Sequence, residues 1–166
     1  LQGVFIGVGI SMICLVAVSA MPYIPELGRK PGTDAFYDLE RHDDCETIPG
    51  LRILRFDGGL FFVNADALSD RLRQIRVEDP TGLDGVILSM EGVNFIDTEG
   101  ADVLMAIAQA GIDQGIDLHL ARVKPQVVDV LERDGFFDLV DRSHVHDNIE
   151  AAVALHQSLH PDVTPA

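Results

Sequence analysis

The chain has 166 residues and a formal net charge of −15 at pH 7. So acidic a surface repels phosphate backbones, which argues against a nucleic-acid partner. Its two cysteines, Cys14 and Cys45, are spaced for neither a disulfide framework nor a zinc site. In chain order, residues 1–21 come first and carry no charged side chain. A helix of that length rises roughly 30 Å, about the thickness of a bilayer's hydrocarbon core. The segment is therefore expected to be the end of a membrane helix, with a chain opening on Leu read as a piece of something longer. Gly3, Gly7 and Gly9 suit close helix packing in lipid. A signal peptide would open on Met and a basic stretch, and an all-apolar core helix this long is unusual in a small domain. Arg29 and Lys30 are the first positive charges beyond it, which favours a cytoplasmic exit.

Residues 22–50 read as a linker, because four prolines and three glycines punctuate it too often for a long helix or a central strand. His42, Asp43, Asp44 and Cys45 within it read as a solvated acidic stretch, since consecutive residues rarely converge on one ion. Residues 51–160 form one domain, and 161–166 a frayed tail. Residues 52–56 and 60–64 are expected to pair as a hairpin across Asp57-Gly58-Gly59. Residues 66–78 place Leu68, Leu72 and Ile75 on one helical face, and Pro80-Thr81-Gly82 ends that helix. Residues 84–89 are a short apolar run suited to a buried strand. A helix over 98–113 sets Leu104, Ile107, Ala108, Gly111 and Ile112 inward, and 117–123 is another strand. Pro125 opens the next helix, with Val127, Val128 and Leu131 inward and Gly135 at its end. A short extended piece spans 144–146. Asp147 and Glu150 then form a capping box for a last helix whose inner face is Ile149, Ala152, Val153 and Leu159. Strands and helices alternating in this way predict an α/β fold: a mixed sheet of about five strands, covered by about four helices.

The loop entering the second helix carries the candidate site, Asp97, Thr98, Glu99 and Gly100. Loops after the strands of α/β sheets face ligands. Asp97 or Thr98 can also cap the helix, and a cap alone accounts for these residues. Enzyme chemistry finds little support. There is no lysine-bearing phosphate loop, no Gly-x-Ser-x-Gly elbow, and no paired acid and base. His144 and His146 share one strand face but lack a third ligand, so they read as surface histidines and no metal site is expected.

Phe95-Ile96-Asp97-Thr98-Glu99-Gly100 resembles the phosphorylation loop of STAS domains, with Asp97 on the motif's Asp, Thr98 on the phosphoacceptor and Gly100 on the Gly. Glu99 departs from the pattern, where antagonist members carry a hydroxyl. Pro31-Gly32-Thr33-Asp34-Ala35-Phe36 and Leu60-Phe61-Phe62-Val63-Asn64-Ala65 are similar to the segments joining membrane and STAS portions of SulP-type anion transporters. The resemblance implies a STAS fold and a non-catalytic, regulatory domain on the cytoplasmic side of a multi-pass sulfate or related anion transporter. It implies partners in the transporter's own membrane domain, a second protomer or a cytosolic protein. No cofactor is required; a purine nucleotide, GTP or ATP, is the regulatory ligand it allows, with Thr98, Arg55, Arg122 and Lys124 as contacts. A free-standing anti-sigma-factor-antagonist switch is the alternative, and the apolar opening speaks against it.

Overall fold

The computed structural model describes residues 2–79 and 82–161, so the expected breaker at Pro80-Thr81 and the tail beyond residue 161 lie outside the described residues. α1 (Gln2–Ser19) is apolar on every face, and residues 2–17 are all exposed. Val4, Ile10 and Val16 are exposed, apart from the buried core that contains Val86 and Leu104. Among the described residues no helix is long and apolar enough to cross a membrane.

The Pro/Gly-rich segment after α1 excludes a long helix, as its composition implies, but it is built as a strap. β1 (Leu27–Arg29) and β2 (Phe36–Asp38) pair antiparallel, Leu27 opposite Asp38. Gly28 permits this ribbon, since a Cβ there would stand 2.4 Å from Leu39 Cδ2 and 3.0 Å from the Glu46 carbonyl oxygen. Residues just before β1 run antiparallel beside β3 (Leu51–Arg55), with bridges Tyr23 to Asp57 and Glu26 to Leu54.

The main sheet has four parallel strands in the order β3, β4 (Gly85–Ser89), β5 (Asp117–Ala121) and β6 (Val145–His146). Ile53 stands beside Ile87, and Ile87 beside His119. Alternate residues of a strand point to opposite faces. One face, with Leu54, Val86, Leu88, Leu118 and Leu120, is covered by α2 (Ala65–Glu78), α3 (Thr98–Gln114) and α4 (Pro125–Arg133). The other, with Ile53, Ile87 and Ala121, is covered by α5 (Ile149–Leu159) and by Leu27 of the strap.

The α/β reading holds, and four local expectations do not. Residues 60–64 form no strand: Leu60 bridges in parallel to Ile96, and the Asn64 side chain ties a turn by accepting from Phe61 N and donating to the Gly59 carbonyl. The antiparallel neighbour of β3 is the strap instead. Ile112 and Leu159 fall on exposed faces, 54% and 50% accessible. α5 is capped by Asn148, whose side chain accepts from Ala151 N at 2.8 Å, rather than by Asp147. Glu150 turns away from the helix end to pair with Arg29 at 2.5 Å.

Candidate functional site

The parallel strands place their carboxyl ends together, where open α/β sheets expose ligand-facing loops. Arg55 ends β3, Ser89 ends β4, and Arg122 follows β5. They line a cavity of about 470 Å³ together with Glu91, Asn148 and Glu150. Arg122 adopts φ of +57°, a conformation that non-glycine residues reach only at a cost. Ser89 is fully buried, and its hydroxyl has no partner among the described residues.

The loop that leaves β4 leads into α3, whose first residues do not line this cavity. Asp97 is the helix's cap: Oδ1 accepts from Gly100 N at 2.8 Å and Oδ2 from Phe62 N at 3.1 Å. Thr98, the expected phosphoacceptor, is the first helical residue and is exposed, as is Glu99. Of the two candidate caps, Asp97 is the one used: its backbone is extended (φ −98°, ψ 178°) and its carboxylate accepts from Gly100 N. Gly100 is buried because the chain at Leu60 crosses it; a Cβ would lie 2.5 Å from the Leu60 carbonyl oxygen. Phe62 and Phe95 stand exposed around this start, 70% and 53% accessible.

The three expected cations divide into two groups. Arg55 and Arg122 share the cavity, whereas Lys124 lies toward the loop that leads to Thr98, with its ammonium on Asn94 Oδ1. Each is already engaged. Arg55 makes two 2.8 Å bonds to Asp57, and these carboxylate bonds raise its pKa above the usual arginine value. Arg122 pairs with Glu91 at 2.7 Å. An incoming phosphate would have to compete with these carboxylates.

Residues 43–152 match the family model of the STAS domain. The chain belongs to the STAS domain family. Over 164 residues it is 30% identical to "Probable sulfate transporter 4.2" of Arabidopsis thaliana, covering 91% of this chain and 24% of that protein. The chain thus spans about a quarter of the length of the curated relatives it matches. Among solved structures, the murine Solute Carrier 26 family member A9 anion transporter in its inward-facing state shares the fold, with a TM-score of 0.86 at 24% identity over 95% of this chain and 26% of that one. A sulfate transporter family protein from Wolinella succinogenes gives a TM-score of 0.61 at 25% identity, over 75% of this chain and 99% of that one.

This STAS domain also holds a cluster that sequence reasoning missed. His144 and His146 are not isolated surface residues. His119 of β5 stacks on His144 at 4.5 Å between ring centroids, and its Nδ1 lies 3.2 Å from His146 Nε2. His156 of α5 and His160, which caps that helix's end, stack on each other at 4.6 Å, and His156 meets His119 edge-on. Burial, then the neighbouring His144, His146 and His156, push the His119 pKa down to about 3, so its ring is neutral at physiological pH. Two short patterns carried the signal: Asp117-x-His119 at strand period, and His156-x-x-x-His160 at helix period.

Proposed function

We propose that this chain is the regulatory, non-catalytic end of a SulP-type secondary transporter for sulfate or a related anion, lying on the cytoplasmic side. The supporting observation is the continuity of α1 with the strap. An apolar helix exposed on all sides needs lipid or other membrane helices around it, and it leads within a few residues into a strap built onto the sheet. The similarity to proteins named as sulfate transporters covers more of the chain than residues 43–152. A free-standing antagonist has no use for such a helix.

In this reading the domain acts through contacts, first with the transporter's own membrane domain. The face around Thr98 fits that role, since Phe62 and Phe95 expose aromatic surface beside a helix start. Phosphate on Thr98 would add nearly two negative charges between Asp97 and Glu99, and would disrupt a contact more readily than build one. GTP or ATP would bind weakly, because Arg55, Arg122 and Lys124 already have partners.

Two measurements test the proposal. The untruncated chain should float with lipid vesicles, and a chain starting at Pro22 should remain in the aqueous fraction; equal partitioning would defeat the membrane role of α1. For regulation, the complete protein would be reconstituted and sulfate uptake followed. Phe95→Ala and Thr98→Asp should change uptake at unchanged membrane content and unchanged fold, and uptake insensitive to both would overturn the contact face. Amide shifts on adding millimolar GTP or ATP should be absent or small around Thr98 and Lys124.

A further inference from the structure

We infer that Asp117, His119 and His156 form a binding site for a divalent transition-metal ion of the zinc class, held between β5 and α5. One ligand atom from each of the three lies within 4.8 Å of the others. The backbone brings them together without distortion. Asp117 and His119 are two apart on β5 and so share the face that α5 covers. His156 lies in the last turn of α5, and His160, the residue that ends this helix, stacks its ring on that of His156. Gly85 of β4 makes the room, since a Cβ there would lie 2.4 Å from His156 Cε1 and 2.6 Å from its Nδ1.

The polar atoms at this place point to a ligand. His119 is fully buried and His156 is 2% exposed. His119 Nε2 and both ring nitrogens of His156 have no hydrogen-bond partner among the described residues. A buried imidazole nitrogen left unpaired is costly, and a coordinated ion removes that cost for each nitrogen it takes. The surroundings already resemble an outer shell. If His119 Nε2 offers its lone pair, Nδ1 carries the proton and donates to His146 Nε2 at 3.2 Å, as ligating histidines commonly do. His160 Nε2 donates to Asp117 Oδ2 at 2.8 Å and leaves Oδ1 for the ion. His144 is held through Nδ1 on the Leu118 carbonyl at 3.2 Å and packs against the His119 ring.

Two imidazoles with one carboxylate is a set that zinc-class ions favour over calcium or magnesium, which take oxygen donors. Ligand atoms around a tetrahedral zinc stand about 3.3 Å apart, so small rotations of the three side chains close the site. Three protein ligands leave a fourth position for water. The bound ion would fasten the C-terminal half of α5 to β5, while the Arg29–Glu150 pair fastens its first turn to the strap.

The test uses the full chain without a polyhistidine tag, in detergent micelles, stripped by chelator and titrated with Zn²⁺ or Co²⁺. One equivalent should bind, Co²⁺ should give the visible bands of a tetrahedral centre, and melting should move to higher temperature until EDTA is added. Asp117→Asn should weaken binding by more than about ten-fold, His156→Gln should abolish the Co²⁺ bands, and His42→Ala, outside the cluster, should change neither. Absence of saturable binding would overturn the proposal, as would affinity unchanged by both ligand substitutions. Should His156→Gln fail to fold by circular dichroism, Asp117→Asn decides, because it preserves side-chain size at a partly exposed position.

Discussion

Asp97 satisfies two backbone N–H groups at once, one in its own helix and one in the turn that carries Phe62. Asp97→Ala should therefore lower stability by about 1–2 kcal/mol. Thr98→Ala, at an exposed first helical position, should stay within about 0.5 kcal/mol. Urea unfolding of the two variants measures the contrast, and a larger loss at Thr98 would refute the assignment of the cap. The sequence narrowed that cap to adjacent residues, and it placed the α5 cap one residue too early. In both cases neighbouring polar side chains have similar capping ability, and the backbone angle that chooses between them depends on the path of the chain outside the helix. A second residue, Asp38, sets an acid limb. The Tyr23 hydroxyl, then the Glu40 N–H and the charges of Arg41 and Arg55, hold its carboxyl below its ordinary value of 3.8 against the opposing effect of burial. The folded state thus binds that proton less readily than the unfolded one. Its contribution is present above the unfolded value and is lost as pH falls through the lower folded value. Asp38→Asn should flatten the decline in melting temperature on acidification, and an unchanged decline would exclude this carboxylate as its source.

At the scale of elements, periodicity recovered most of what lies between residues 85 and 135. The β4 run is apolar throughout because both faces of that strand are covered, and the α4 pattern begins on a proline whose missing N–H costs nothing there. The hairpin failed for a physical reason: a turn sequence shows that the chain reverses, but it does not specify which partner pairs with the returning residues. Leu60 found Ile96, 36 residues further along, and β3 found the strap. The histidine cluster was illegible for a related reason. Its members come from β5, β6, α5 and the turn before β6, and each contributes only one or two residues of pattern. Gly85 is the element-level hinge of that cluster, and its lack of a side chain lets α5 sit down on β4. Gly85→Ala should push the His156 ring aside and cost about 1–3 kcal/mol by overpacking, measured by thermal or urea unfolding. A neutral result would mean that α5 has slack over the sheet.

For the molecule as a whole, the order of pieces along the chain governs what can be separated from what. The strap lies against the outer edge of β3, with Arg55 N bonded to the Pro25 carbonyl and Asp57 N to the Tyr23 carbonyl. At the far side, β6 is only two residues long. Short or covered edges of this sort keep sheets from joining one another. The segment that connects α1 to the sheet is therefore also the guard on the sheet's longest open flank. A chain begun at Leu51 would bare the backbone of β3 and the apolar patch beneath Leu27, and it should self-associate with rising concentration in sedimentation, whereas a chain begun at Pro22 should stay monodisperse. Equal behaviour of the two would show that β3 needs no guard. Any movement that drew the strap away from β3 while α1 stayed fixed would make the domain adhesive, so under the proposed regulatory role a signal carried along this connection would be confined to motions in which strap and sheet travel together.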